Sequence, residues 1–286
     1  MMLRTFALLG CLAASSMVAH AAQPVNLQTQ ALTSSPRLNS QSVAVVDSQT
    51  GKLVYEKNPL QTQPIASITK LMTAMVMLDA GLSLDEPITI TEDEVDRLKN
   101  TSSRLSVGST LTRREMLLLA LMSSENRASA SLARTYPGGK AAFIAKMNQK
   151  ARSIGMRNAV FHDATGLDMR NSATAMDLVR MVKAAYQYPL IRQFSTTHEY
   201  IAHPSATRVL HYKNSNPLVR EGEWDIGLSK TGYIEEAGRC LVMETTMGSQ
   251  RLIVVLLAAN GSAARVNDAK SIKTWLEAHP NSWLSG

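Results

Sequence analysis

The stretch from Pro64 to Leu78 restricts the fold of this chain more than any other. Ile68, Leu71, Met72, Met75 and Val76 recur at the i, i+3, i+4 spacing of a helical face. Ala74, Met77 and Leu78 carry the apolar character round the flanks. Such a helix has to be enclosed on most sides, so the rest of the chain must wrap it. Gly81 stands where a C-cap belongs. Into its first turn the helix carries Ser67 and Lys70, one turn apart on one face. An amine at the edge of a buried helix loses hydration, which disfavours its charged form and lowers its pKa. A neutral amine beside a hydroxyl is a general base for that hydroxyl. S-x-x-K also arises by chance, and a serine at a helix start is commonly just a cap, so other segments have to decide.

Apolar runs at the two ends of the chain read as strands. Ser42 to Asp47 and Leu53 to Glu56 flank the turn residues Asp47 to Lys52, giving a hairpin just before the serine helix. Trp224 to Tyr233, Arg239 to Met247 and Arg251 to Ala259 are β-rich runs with short separations, so they should pair antiparallel. Ala263 to Glu277 closes as a helix. The centre is mostly helical. Glu92 to Arg97 is a polar helical start, and Thr112 answered by Glu115 is a capping box before Met116 to Met122. Further helices run from Asn126 to about Thr135, Ala141 to Ile154, and Thr174 through Tyr186. The expectation is an α+β fold: one antiparallel sheet built from both chain ends, flanked by helices, with a helical insert over about 88–208.

The first residues resemble an export signal. Arg4 supplies positive charge, Phe6 to Val18 an apolar run, and Ala19-His20-Ala21 a small-x-small site, predicting cleavage after Ala21. Cys11 sits in a Leu-Leu-Gly-Cys box, but the apolar run before it is short and continues past it, so no lipidation is expected. Residues 22–39, rich in Gln, Thr, Ser and Pro, read as a flexible lead-in to one domain spanning 40–286. No later run is long enough to cross a bilayer. The net charge is +7, and loss of Arg4 leaves +6. No basic run interleaves with aromatics, so nucleic acid is not expected as a partner. With Cys11 removed, Cys240 has no disulfide partner, and its Leu-Val-Met surroundings mark it as core. His162, His198, His203 and His211 lack metal-ligand spacing, so no metal and no cofactor is expected. Arg113 and Arg114 read as a solvated helix face.

Two further segments change the weight of Ser67 and Lys70. Ser124-Glu125-Asn126 falls between two helices, and Lys230-Thr231-Gly232 falls on a strand. S-x-x-K, S-x-N and K-T-G, in that order and in those settings, are far more specific together than any one alone. On these motifs the chain resembles the low-molecular-mass penicillin-binding proteins, serine D-alanyl-D-alanine peptidases of the bacterial envelope. Asp47 to Gly51, Asp163 to Leu167, and Tyr233 with Ala237-Gly238 add to the resemblance, which covers nearly the whole chain after the lead-in. Leu121 to Arg127 is most similar to the D-alanyl-D-alanine endopeptidase branch, because the carboxypeptidase branch usually has Gly at the position of Glu125. That branch also usually carries a C-terminal β-domain and an amphipathic anchor, neither of which is expected here from the sequence up to Gly286.

The resemblance implies a β-lactamase/transpeptidase-like fold and a periplasmic enzyme acting on peptidoglycan peptide stems. By that likeness Ser67 is the nucleophile and Lys70 its base, with Lys230 helping to hold Lys70 neutral. Ser124 passes a proton to the leaving amine, and Asn126 orients the substrate amide. Thr231 binds near the terminal carboxylate, and the backbone N–H groups of Ser67 and Tyr233, beside Gly232, form an oxyanion hole. β-Lactams are expected to acylate Ser67. The leading expectation is cleavage of D-alanyl–diaminopimelyl cross-links. A D-alanyl-D-alanine carboxypeptidase is the alternative, followed by a β-lactamase and a non-catalytic wall-binding protein.

Overall fold

The two ends of the chain meet in one sheet. The computed structural model describes residues 35–279, and the expected signal segment and most of the lead-in lie outside them. In chain order the strands are β1 (Ser42–Asp47), β2 (Leu53–Lys57), β3 (Gln63–Pro64), β4 (Pro87–Thr89), β5 (Thr110–Thr112), β6 (Ser172–Ala173), β7 (Glu199–Ser205), β8 (Arg208–Lys213), β9 (Ile226–Ile234), β10 (Gly238–Met247) and β11 (Gln250–Ala259). The helices are α1 (Thr69–Asp79), α2 (Arg113–Met122), α3 (Asn126–Arg134), α4 (Gly139–Ser153), α5 (Ala175–Ala185), α6 (Pro189–Ser195), α7 (Pro217–Glu221) and α8 (Ala264–Ala278). The main sheet has the order β2-β1-β11-β10-β9, and every neighbouring pair is antiparallel. Val45 pairs with Val254 and Lys230 with Val242.

Both faces of this sheet are covered, which is why its strands read as continuous apolar runs. Val43, Val45, Leu241, Met243 and Val254 pack with Ile272 and Leu276 of α8. The alternate residues Ala44, Val242, Val255 and Leu257 join the larger core around α1. Every residue of α1 from Thr69 to Met77 is buried, as its apolar circumference required. The α+β expectation holds. Among the described residues no helix is long and apolar enough to cross a membrane.

Four local expectations need correction. Ser67 lies in a 3-10 turn, Ala66–Ile68, that precedes α1 rather than inside the α-helix. Glu92 to Arg97 forms only the 3-10 turn Glu92–Glu94, because Glu94 turns inward to Arg134 and Val95 is already extended. The β7–β8 hairpin and α6 were not expected. Pro204 and the polar outer face of β7 disguise a half-buried ribbon. Arg113 is not solvated. It is 1% exposed, donates to the Ser83 carbonyl and Thr135 Oγ1, and pairs with Glu86.

Candidate active site

The site forms where α1, the α2–α3 turn and β9 converge. Lys70 enters from α1, is fully buried, and sends Nζ to three acceptors. These are Ser67 Oγ at 2.8 Å, Asn126 Oδ1 at 2.8 Å and the Thr165 carbonyl at 2.6 Å. Burial lowers the Lys70 pKa to about 7, against an upward pull from Asp163 and Glu125. A neutral amine keeps two N–H donors for Asn126 and Thr165 and turns its lone pair to the Ser67 hydroxyl. That is the arrangement a general base needs.

Lys230, 1% exposed on β9, approaches from the opposite side. It donates to Ser124 Oγ at 3.0 Å and to the Thr231 carbonyl at 2.7 Å. Burial, then Lys70, then Arg265 hold its pKa well below that of an exposed lysine. The lowering on Lys70 therefore comes from burial, and the repulsion between the two lysines is felt on Lys230. Thr231 Oγ1 shares a hydrogen bond with Ser215 Oγ at 2.7 Å. Asn126 also donates to Thr101 Oγ1, so its amide is held from both ends. Ser123, next to Ser124, spends its hydroxyl on the Leu119 carbonyl of its own helix.

Two backbone features make this convergence possible. Ala66 and Ser124 both adopt left-handed φ values, +47° and +63°, which non-glycine residues rarely hold. Gly232 lets β9 run against the serine turn, since a Cβ there would sit 3.1 Å from Ser67 N and Ile65 O. Tyr233, the next residue, is exposed and stacks under Arg239. Arg265 of α8 donates to the Gly232 carbonyl at 2.8 Å and fixes this edge of the sheet.

Hydrogen bonds and the close approach of Gly232 thus bring Ser67, Lys70, Ser124, Asn126, Lys230, Thr231 and Gly232 together, with Tyr233 next to them on β9. Sequence reasoning missed the supports of this site. Asn171, completely buried, accepts from the His162 and Asp163 N–H groups and donates to Thr69 Oγ1. Asp163 accepts from the Thr165 and Gly166 N–H groups, shaping the loop that presents the Thr165 carbonyl to Lys70. The Asp-x-Thr-Gly run carried that Asx-turn signal, whereas Asn171 carried none. Glu125 is 7% exposed and accepts from Ser103 Oγ and the Arg127 N–H, so it anchors the start of α3 rather than facing solvent. Two cavities meet at Asn126. One, about 560 Å³, is bounded by Asp96, Lys140, Thr165 and Asp168, and the other, about 230 Å³, by Ser124, Arg104 and Tyr212. Among the described residues no group of three or more His, Cys, Asp or Glu could hold a metal.

A buried serine–lysine pair, a second serine–lysine pair and an antiparallel sheet edge define an active-site-serine enzyme of the acyl-transfer class. The profile of the D-alanyl-D-alanine carboxypeptidase family, peptidase S11, matches residues 29–261, and the chain belongs to that family. It is a serine-type D-alanyl-D-alanine peptidase. It is 49% identical to a D-alanyl-D-alanine endopeptidase of Pseudomonas aeruginosa over 84% of this chain and 78% of that one. It is 46% identical to a D-alanyl-D-alanine endopeptidase of Escherichia coli over 85% of this chain and 79% of that one. The crystal structure of the Streptomyces K15 DD-transpeptidase superposes with a TM-score of 0.79 at 29% identity, covering 86% of this chain and all of the other. The transpeptidase-like fold expected from the motifs is therefore the fold observed.

Proposed function

We propose that this protein is a periplasmic DD-endopeptidase that hydrolyses D-alanyl–diaminopimelyl cross-links of peptidoglycan through an acyl-enzyme on Ser67. The observation that carries the chemistry is the 2.8 Å contact between Ser67 Oγ and a buried Lys70 amine whose pKa falls to about 7. Lys70 takes the Ser67 proton as Oγ attacks the D-alanyl carbonyl carbon. Charge developing on the carbonyl oxygen meets the backbone N–H groups of Ser67 and Tyr233. The C–N bond then breaks, and the leaving nitrogen takes through Ser124, which Lys230 holds in place, the proton that Lys70 removed from Ser67, leaving Lys70 neutral again. Asn126 and Thr231 orient the peptide on either side. Water attacks the ester, returns its proton through Lys70, and frees the acid.

The cross-link, rather than a terminal D-alanine, is favoured by two findings. The relatives at 46–49% identity carry the endopeptidase name. Two cavities share Asn126 in their linings, which suits a substrate that continues past the reacting bond. Export with cleavage after Ala21 fits the envelope location of such a substrate. β-Lactams, as mimics of D-alanyl-D-alanine, should acylate the same serine.

Intact mass spectrometry after incubation with a penicillin tests the nucleophile. A one-to-one adduct is expected, and none in Ser67→Ala. Absence of both adduct and drug consumption would end the catalytic reading in favour of a wall-binding protein, and rapid drug turnover would favour a β-lactamase. Digestion of purified muropeptides separates the peptidase activities. Loss of cross-linked dimers is expected, whereas dimers that persist while terminal D-alanine is released would make the protein a carboxypeptidase.

A further inference from the structure

A cross-link joins two stems, one retained on the enzyme as the acyl group and one released with the amine. The released nitrogen must sit at Ser124 to be protonated, so the stem it carries leaves through whichever cavity Ser124 lines. That is the smaller one, because the larger cavity reaches Asn126 and Thr165 but not Ser124. We propose that this smaller cavity is the subsite for the departing stem, and that Arg104 and Tyr212 select it by binding one of its free carboxylates. The proposal rests on the endopeptidase reading.

The cavity is built for a polar ligand. Tyr212 is 2% exposed, and its hydroxyl oxygen lies against the Arg104 guanidinium, with no acceptor for its proton among the described residues. With Arg104 on its oxygen, the Tyr212 hydroxyl still has its proton to give to an acceptor supplied from outside. Burial pushes the phenol pKa far up, which keeps the hydroxyl protonated and able to donate. The Arg104 guanidinium lies over the Tyr212 ring, 3.8 Å from its centre, and spends Nη1 on the His211 carbonyl. Arg208 grips the Arg104 carbonyl and Ser106 Oγ, which fixes the loop that carries Arg104. A planar guanidinium with unspent N–H groups matches a carboxylate, and stacking pre-orients it. Glu125 also lines this cavity, and its negative charge would repel an anion. Ser103 and the Arg127 N–H engage that carboxylate, and Arg104 supplies the opposing charge at the mouth.

The test uses the full mature protein and two substrates. One is a purified cross-linked muropeptide dimer, and the other is the same dimer with the free carboxylates of the released stem amidated. Steady-state cleavage is measured for wild type, Arg104→Ala, Arg104→Lys and Tyr212→Phe, alongside the penicillin acylation rate of each. Losing a charge-assisted contact should raise KM for the dimer about tenfold in Arg104→Ala, relative to any change in penicillin acylation. Arg104→Lys should recover part of that loss, and Tyr212→Phe should raise KM about threefold with kcat little changed. Amidation should weaken the wild type by a similar factor and leave Arg104→Ala unaffected. Equal cleavage of both dimers by the wild type, or an unchanged KM in Arg104→Ala, would overturn the subsite while leaving the endopeptidase intact. Penicillin acylation with no dimer cleavage at all would instead overturn the endopeptidase reading and the subsite with it.

Discussion

Lys70 gathers three oxygen partners round one buried amine, and its protonation state governs the site. With a pKa near 7, the penicillin acylation rate should climb with pH and level off above about 7. Stopped-flow acylation from pH 5 to 9 checks this, and a flat profile would contradict it. Stability should follow the same group. Between about 7 and 10.5 the unfolded chain binds the lysine proton and the native chain does not, so this contribution rises with pH through that window. Lys70→Met should therefore gain most in Tm over the wild type below pH 7, with the gain shrinking towards pH 10. Two glycines separate sterics from chemistry. A Cβ on Gly166, where φ is +82°, would overlap the Ala66 carbonyl. Gly166→Ala should cost about 2 kcal/mol or more in urea unfolding and also slow acylation. A Cβ on Gly232 meets Ser67 N and Ile65 O at only 3.1 Å. Gly232→Ala should cost about 1 kcal/mol, with its main effect on the acylation rate.

At the scale of elements, the site depends on segments that hold α1 and β9 in register with loops far away in sequence. The 163–171 loop is one. Its Ala164 carbonyl accepts from both Thr73 of α1 and Ser129 of α3, each at 2.7 Å, and the next carbonyl, Thr165, reaches Lys70. Asn171 closes this loop from the other end through the His162 and Asp163 N–H groups. Asn171→Ala should lower stability by about 2–3 kcal/mol, because it leaves buried donors unpaired. Acylation should slow about tenfold as the Thr165 carbonyl drifts from Lys70. A variant that lost stability but acylated at the normal rate would show the loop to be a brace only. On the far wall, α2 ends and α3 begins within four residues, and Glu125 caps the new helix. That tight change of direction presents Ser124 and Asn126 to the cleft from one turn.

For the whole molecule, the decisive contact ties the start of the described chain to its last helix. Asp268 of α8 is 1% exposed and accepts from the Asn39 and Ser40 N–H groups and from Ser40 Oγ at 2.9, 2.7 and 2.6 Å. It pins β1 beside β11, and so holds the sheet from which β9 projects Lys230. Asp268→Ala should lower the urea midpoint by an amount equal to about 2–4 kcal/mol with an unchanged m-value. An m-value that fell would mean that the native chain had loosened instead. The elements were largely legible in sequence because apolar periodicity and capping boxes are local signals. The strands β9, β10 and β11, the enclosed α1 and the Thr112–Glu115 box all lie within a residue or two of their expected positions. The β7–β8 hairpin escaped because a half-buried ribbon with a proline in it carries a weak pattern. Buried Arg113 escaped because its partners, at Ser83, Glu86 and Thr135, are set by packing. By itself the sequence determined which residues carry reactive groups and which elements they ride on, since both follow from side-chain chemistry and short-range spacing. Only the tertiary structure decided that Lys70 is dry and sits against Thr165, that Glu125 faces inward, and that Tyr212 opens a second cavity beside Ser124. Burial and long-range hydrogen bonds are properties of the packed chain, and no local pattern encodes them.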